Sequence, residues 1–223
     1  MKHCSHDDNN LCVEICGEDI YLLPEKALFW PEKKILHLSD LHIGKAGYFQ
    51  KQGIPLPAKS IFKDLKRLDY LLDVYDPESV VILGDMFHNR KNAEWEPFER
   101  WRSQNSDIRM ILVLGNHEIL PEQYYQVLDL HTTEYFCEFP FIFLHNTTNQ
   151  YKLFDDYYRI GGHLHPAVKI RGKGRQNHVL SCFYFTEDFL LLPAFGSLTG
   201  NYLVEPKENE KAYVIVQNKV LPV

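Results

Sequence analysis

The stretch ILHLSDLHIGKAG, Ile35 to Gly47, decides how the rest of the chain is read. Ile35, Leu36 and Leu38 begin it as a buried strand, and then Asp40 and His42 follow with glycine close behind. A carboxylate and an imidazole at the end of a core strand cost desolvation energy unless something satisfies them. Residues i and i+2 of an extended chain project to the same side, so the spacing predicts that Asp40 and His42 share one ion.

Other apolar strands end in the same way. SVVILGD places Gly84-Asp85 at a strand end with His88 beyond it, and IRMILVLGNHE ends in Gly115-Asn116-His117-Glu118. His145 closes FPFIFLH, and His163 and His165 close YYRIGGHLH. Ligands of α/β sheets bind outside the carboxyl ends of the strands, where polar groups from separate strands meet. Carboxylate, imidazole and amide oxygen suit Mn, Fe or Zn, and no cysteine falls within these motifs. Alone, each motif is what a turn, a surface loop or a satisfied core histidine also shows. Five of them, in order and each at a strand end, point to a metal pair. Glycine beside each cluster lets the backbone turn tightly.

Working outward, PLPAKSIFKDLKRLDYLLDVYDP sets Ile61, Leu65, Leu68 and Leu72 at helical spacing between Pro57 and Pro77. A second helix is predicted over 94–105. Short strands separated by turn signals precede it between Leu11 and Leu38. The C-terminal half reads as strands around 140–145, 157–161, 167–171, 178–185, 189–192 and 212–216. Strand, helix, strand, helix, strand predicts an α/β fold with a parallel half and a second sheet. The expected fold is a two-sheet sandwich flanked by helices. Residues 11–223 read as a single domain, and 1–10 as a loose N-terminal tail.

The net charge of −6 argues against nucleic-acid binding, because phosphate contacts need Lys and Arg. Two divalent cations would bring it to about −2 and would concentrate positive charge at one place. No apolar run approaches the ~18 residues of a membrane span, and MKHCSHDDNN lacks the apolar stretch of a signal peptide. Five scattered cysteines suit a reducing cytosol, so a cytoplasmic protein with no membrane partner is expected. Zinc at HCSH with Cys12 and Cys16 is not expected, because the spacing fits no usual site.

The ordered blocks D-x-H, G-D, G-N-H-E, H and G-H-x-H resemble those of the calcineurin-like metallophosphoesterase superfamily and its αββα fold. That resemblance implies that Asp40, His42, Asp85 and His165 bind one metal. Asp85 would bridge to a second, completed by Asn116, His145 and His163. His117 would be the histidine beside the scissile phosphate; read from the residue alone, Glu118 supports the local loop or is a solvated side chain. A closer resemblance runs over LLPEKALFWPEKKILHLSDLHIGKAGYFQKQGIPLP, EWEPFERWR, GHLHPAVKIRGKGRQ, CFYF and LLPAFGSLTG. These are similar to the bacterial ligase-associated DNA damage response endonuclease (PdeM) family. The resemblance implies a Mn2+-dependent DNA phosphodiesterase of repair, with a DNA ligase or helicase as partner. GDMFH also resembles the SbcD nucleases, which would give His88 a contact to substrate phosphate. In the expected mechanism a hydroxide held between the ions attacks in line, and His117 protonates or stabilises the departing oxygen.

The substrate contacts are read from composition. Lys169, Arg171, Lys173 and Arg175 alternate in VKIRGKGRQ, as a basic edge for DNA or as a solvated hairpin. Trp95, Phe98, Trp101 and Arg102 lie at helical spacing, which fits core packing better than stacking on unpaired bases. Rival readings are a phosphodiesterase for a small nucleotide or a lipid-linked diphosphate, and a non-catalytic scaffold. The scaffold reading conflicts with the presence of His117 and every ligand.

Overall fold

A computed structural model describes residues 9–54, 56, 60–88, 91–148, 154, 156–172 and 176–223. β1 (Leu11–Ile15), β2 (Glu18–Leu23), β3 (Ala27–Trp30) and β4 (Ile35–Leu38) form an antiparallel meander. β5 (Ser79–Leu83), β6 (Arg109–Val113) and β7 (Leu130–Thr133) then extend it in parallel, giving a seven-stranded sheet in chain order. Between them run α1 (Lys45–Lys51), α2 (Ser60–Tyr75), α3 (Trp95–Gln104) and α4 (Glu122–Val127).

The second sheet holds β8 (Phe136–Glu138), β9 (Phe141–Leu144), β10 (Tyr158–Gly161), β11 (Pro166–Arg171), β12 (Asn177–Phe185), β13 (Phe189–Leu191) and β14 (Tyr202–Leu203). Its order is β14-β11-β12-β13-β10-β9-β8, and β15 (Lys211–Val216) pairs with β12 and with β16 (Lys219–Pro222). This is the two-sheet αββα architecture expected from the sequence. The long helix is centred where the periodicity placed it, burying Ile61, Leu65, Leu68 and Leu72. Sequence reading missed α1, α4, β7, β8, β14 and β16, all short elements whose apolar runs are too brief to show a period.

The alternation of the parallel strands builds two cores. Val80 and Ile82 of β5, with Met110 and Leu112 of β6, face α2, α3 and α4. Val81, Leu83, Ile111 and Val113 face the second sheet, against Phe141, Phe143, Ile160 and Phe183. Trp95, Phe98 and Trp101 are buried in the helix-facing core, with Trp95 stacked on Phe87 at 3.9 Å. They hold α3 in place and are not a surface for bases. The buried Arg102 caps this layer through the Leu128 carbonyl and Asp129. Among the described residues no helix is long and apolar enough to cross a membrane. Asn9 and Asn10 are tied to the body, through Val220 and Tyr75, and residues 1–8 lie outside the described residues.

One polar residue lies within the inter-sheet core. His37 is fully buried, its ring stacks on Phe143 at 4.0 Å, and neither nitrogen has a hydrogen-bond partner among the described residues. Burial pushes its pKa down to about 3, so the folded chain holds it neutral where the unfolded chain takes up a proton below about 6.5. Stability due to this group is full above about 6.5 and is lost as pH falls toward 3, at up to about 1.4 kcal/mol per pH unit. His37→Phe keeps the stack and removes the proton. Urea unfolding in EDTA is expected to show the variant losing about 2 kcal/mol less than wild type between neutral pH and pH ~5. Equal acid losses in the two proteins would remove His37 as the cause.

Candidate metal centre

The carboxyl ends of β4, β5 and β6, and the ends of β9 and β10, open onto one place. Two compact groups with a carboxylate form there, Asp40 with His42 and His165, and Asp85 with His145 and His163, beside a third of His42, His88 and His117. Within each group the potential ligand atoms lie within 4.8 Å of one another. Asp40 and Asp85 are buried, as are His42 and His145. His165 Nε2 stands 3.2 Å from Asp40 Oδ1, and His145 Nε2 stands 3.5 Å from Asp85 Oδ1. Asp85 Oδ2 reaches the other way, 3.8 Å from His42 Nε2. One carboxylate therefore faces both groups.

The expected cause of the D-x-H spacing needs correction. β4 ends at Leu38, and Asp40 and His42 are not extended. Their φ values are +54° and +50°, with Asp85 at +49°, His163 at +68° and His165 at +52°. The i, i+2 pairs converge because the backbone kinks left-handed at each ligand, not through strand alternation. Non-glycine residues at positive φ are strained and persist only where the surroundings hold them. The holding groups are visible. Asp40 N donates to the Gly84 carbonyl at 3.1 Å and His42 N to the Asp85 carbonyl at 2.9 Å. The loop after Leu192 clasps the same turn, with Phe195 N donating to Ser39 O and Gly196 N to Asp40 O. Asp64 anchors that loop by accepting from Ser197 N at 3.0 Å. Gly84 has φ +79°, and a Cβ there would collide with the His145 ring.

The donor set fits divalent cations. Asp40 Oδ1 and His165 Nε2 are both buried without a hydrogen-bond partner, and they face each other. Two such orphans side by side cost energy unless a cation lies between them. His145 commits Nδ1 to the Leu83 carbonyl at 2.9 Å, so Nε2, which meets His163 Nδ1 at 3.0 Å, is the nitrogen it turns toward the other ligands. Burial lowers the pKa of His42 to about 3 and likewise lowers that of His163, keeping both imidazoles neutral as ligands require. Burial alone would raise Asp40, but the imidazoles of His165 and His145 outweigh it and hold the carboxyl below its usual range.

The remaining expected residues surround this pair. Asn116 lies exposed in the same loop as His117. The His117 side chain is 41% exposed, with Nε2 4.0 Å from Asp85 Oδ2, while its amide donates to Asp85 Oδ1 at 3.0 Å. His88 stacks on His117 at 4.8 Å and sits edge-on to His42 at 5.3 Å. Its pKa falls to about 4, through burial and then the neighbouring His117 and Lys45. Glu118 accepts from four backbone amides, those of Gly115, Asp85, Met86 and Phe87, and so ties the β5 and β6 loops together. Burial and the Asp85 charge push its pKa up to about 6 against those donors. Lys169 and Arg171 are exposed on β11, two residues apart and so on one side of the strand. Lys173 and Arg175 lie outside the described residues.

Sequence reading missed the contribution of α1. Tyr48 and Phe49 lie 5.3 Å and 6.0 Å from the His88 ring, and Lys45 lines a narrow cleft with His42. The signal was present in GKAGYF, where Lys45, Tyr48 and Phe49 share helical i, i+3, i+4 spacing.

The family profile described as calcineurin-like phosphoesterase matches residues 33–217. The crystal structure of the nuclease MPE from Pseudomonas putida superposes with a TM-score of 0.81 at 30% identity, over 96% of this chain and 100% of that chain. The phosphoesterase Yfce from E. coli aligns over 82% of this chain and 87% of that chain, at 15% identity and a TM-score of 0.43. No curated protein matches in sequence.

Proposed function

From the premise that the chain belongs to the calcineurin-like phosphoesterase family, we propose that it is a Mn2+-dependent endonuclease acting on single-stranded or unpaired DNA. The observation that carries this reading is a two-lobed Asp/His centre in a chain that aligns end to end with a nuclease at 30% identity. Asp40, His42, Asp85 and His165 would hold one cation, and Asp85, Asn116, His145 and His163 the other. When bound, the pair supplies Lewis acidity toward the phosphoryl oxygens and the attacking water.

The protein groups do the rest. His88, leaning over the centre from the β5 loop, donates to a phosphoryl oxygen as charge gathers there. His117 is reached from solvent and held by its amide on Asp85, so its ring can meet the leaving sugar oxygen and give it a proton. Glu118 keeps both loops in register through its four amide contacts. Lys169 and Arg171 would extend phosphate contact along β11. A cytoplasmic repair role beside a DNA ligase or helicase is what the resemblance of Gly162–Gln176 and Leu191–Gly200 to the ligase-associated endonucleases implies.

The test is cleavage of closed circular single-stranded DNA with Mn2+. Linear product is expected from the wild type. Intact circles together with hydrolysis of a small chromogenic phosphodiester would keep the phosphoesterase and remove the DNA assignment.

A further inference from the structure

We infer that one face of α1, formed by Lys45, Tyr48 and Phe49, is a nucleotide subsite beside the metal centre. Lys45 takes the phosphate next to the scissile one, and the two rings take the unpaired base that it carries. The inference rests on the nuclease reading above and assigns that site its substrate wall.

The helix is built to present this face. Ala46 is buried, and Gly47 packs so closely on Asn92 that a Cβ there would crowd the side chain. Gly47 N donates to Glu94 Oε2 at 2.9 Å, and Asn92 Nδ2 donates to the Gly44 carbonyl at 2.7 Å. These contacts fix the back of α1 on the start of α3. The front carries Lys45, Tyr48 and Phe49, all only partly buried. Tyr48 and Phe49 meet edge-on at 5.5 Å, and both border His88, the residue placed over the scissile phosphate. Tyr48 edge-on to His88 and Phe49 stacked toward it put two rings within a nucleotide's reach of the scissile phosphate. Base stacking on such rings tolerates any sequence.

Lys45 supplies the charge. Its ammonium lies near enough to Asp40 and Asp85 for both carboxylates to act on it, yet among the described residues it closes no salt bridge. Once the carboxylates hold cations, a lysine beside them meets only positive charge. It is stable there when an anion arrives, and a bridging nucleic-acid phosphate is that anion. In a chain of net charge −6, such a local cation lets a polyanion reach the centre.

A single-stranded oligonucleotide with a mapped cleavage site tests this. Binding is read by fluorescence anisotropy with Mn2+ on the same oligonucleotide made uncleavable at the mapped bond, and cleavage by kcat and KM with Mn2+. Tyr48→Ala/Phe49→Ala is expected to weaken binding and raise KM by about tenfold or more, with Tyr48→Phe and Phe49→Tyr restoring both. Lys45→Ala is expected to lower the slope of log affinity against log salt by about 0.7. Replacing bases one at a time by abasic sugars identifies the stacked nucleotide. At that position the wild type loses about tenfold and the double variant loses nothing further.

Abasic and double-variant losses that simply add would overturn the inference, because the rings would then only support His88. An unchanged salt slope would remove Lys45 from it. If the wild type hydrolyses a small phosphodiester but neither binds nor cuts the oligonucleotide, the nuclease reading itself fails. The two failures are therefore distinguishable.

Discussion

His117→Ala is expected to keep both metals and to lose turnover on DNA by about 10²–10⁴, the usual worth of a general acid. The position separates catalysis from binding. The ring stands outside the Asp40–His42–His165 and Asp85–His145–His163 groups but leans over them, stacked on His88 at 4.8 Å. Its partial exposure means that truncation leaves no core cavity, so the fold is expected to lose little. A rival role is visible in the same geometry. His42, His88 and His117 also gather their nitrogens within 4.8 Å, which would suit His117 as a ligand. Metal content decides between the roles. Two ions retained with turnover lost assigns proton transfer, whereas an ion lost with the ring assigns ligation. A second readout sharpens this. An aryl phosphodiester has a leaving group that needs no proton, so His117→Ala is expected to lose far less on it than on DNA. Equal losses on both substrates would contradict the acid.

The site was more legible in the chain than its geometry. Apolar runs ending at Leu38, Leu83, Val113 and Leu144 each stop at polar residues that no core tolerates singly, and that conflict is readable without coordinates. The left-handed backbone at Asp40, His42, Asp85, His163 and His165 was not legible. Aspartate and histidine do not announce positive φ as glycine does, and tertiary hydrogen bonds impose it here. Glu118 shows the same limit. The sequence leaves Glu118 between a support of its loop and a solvated side chain, and only the meeting of two loops shows it accepting four amides. The α1 helix, seven residues long, gave too little periodicity to be seen as an element. The strands around the basic hairpin were placed well, because Val179, Phe183, Tyr184 and Phe185 give β12 residues that favour a pleated strand.

Asp85→Asn is expected to abolish the binding of both metals and all activity while leaving the apo fold as stable as wild type or more so. The single carboxylate faces both ligand groups, with Oδ1 toward His145 and Oδ2 toward His42. Neutralising it removes the anion shared by the two sites, so neither ion keeps its charge partner. The amide oxygen can still accept the His117 amide, which spares the loop that Asp85 Oδ1 now holds. Without metal the native carboxylate is a burden. It is buried, and its charge helps push Glu118 up to about 6 after burial itself. Relief of that repulsion offsets the loss of charge-assisted hydrogen bonding in the apo protein. Metal reverses the comparison, since ions that bind only the folded chain raise its stability by about 2.7 kcal/mol per site at a hundredfold excess over Kd. For a chain of this size each such site moves Tm by on the order of 5–10 °C. Mn2+ is therefore expected to raise the Tm of wild type and not of Asp85→Asn, with about two ions per chain retained by the former alone. A matching rise in the variant would show that Asp85 does not bridge. No rise in wild type would remove the metal centre, and with it the role given to every ligand around it.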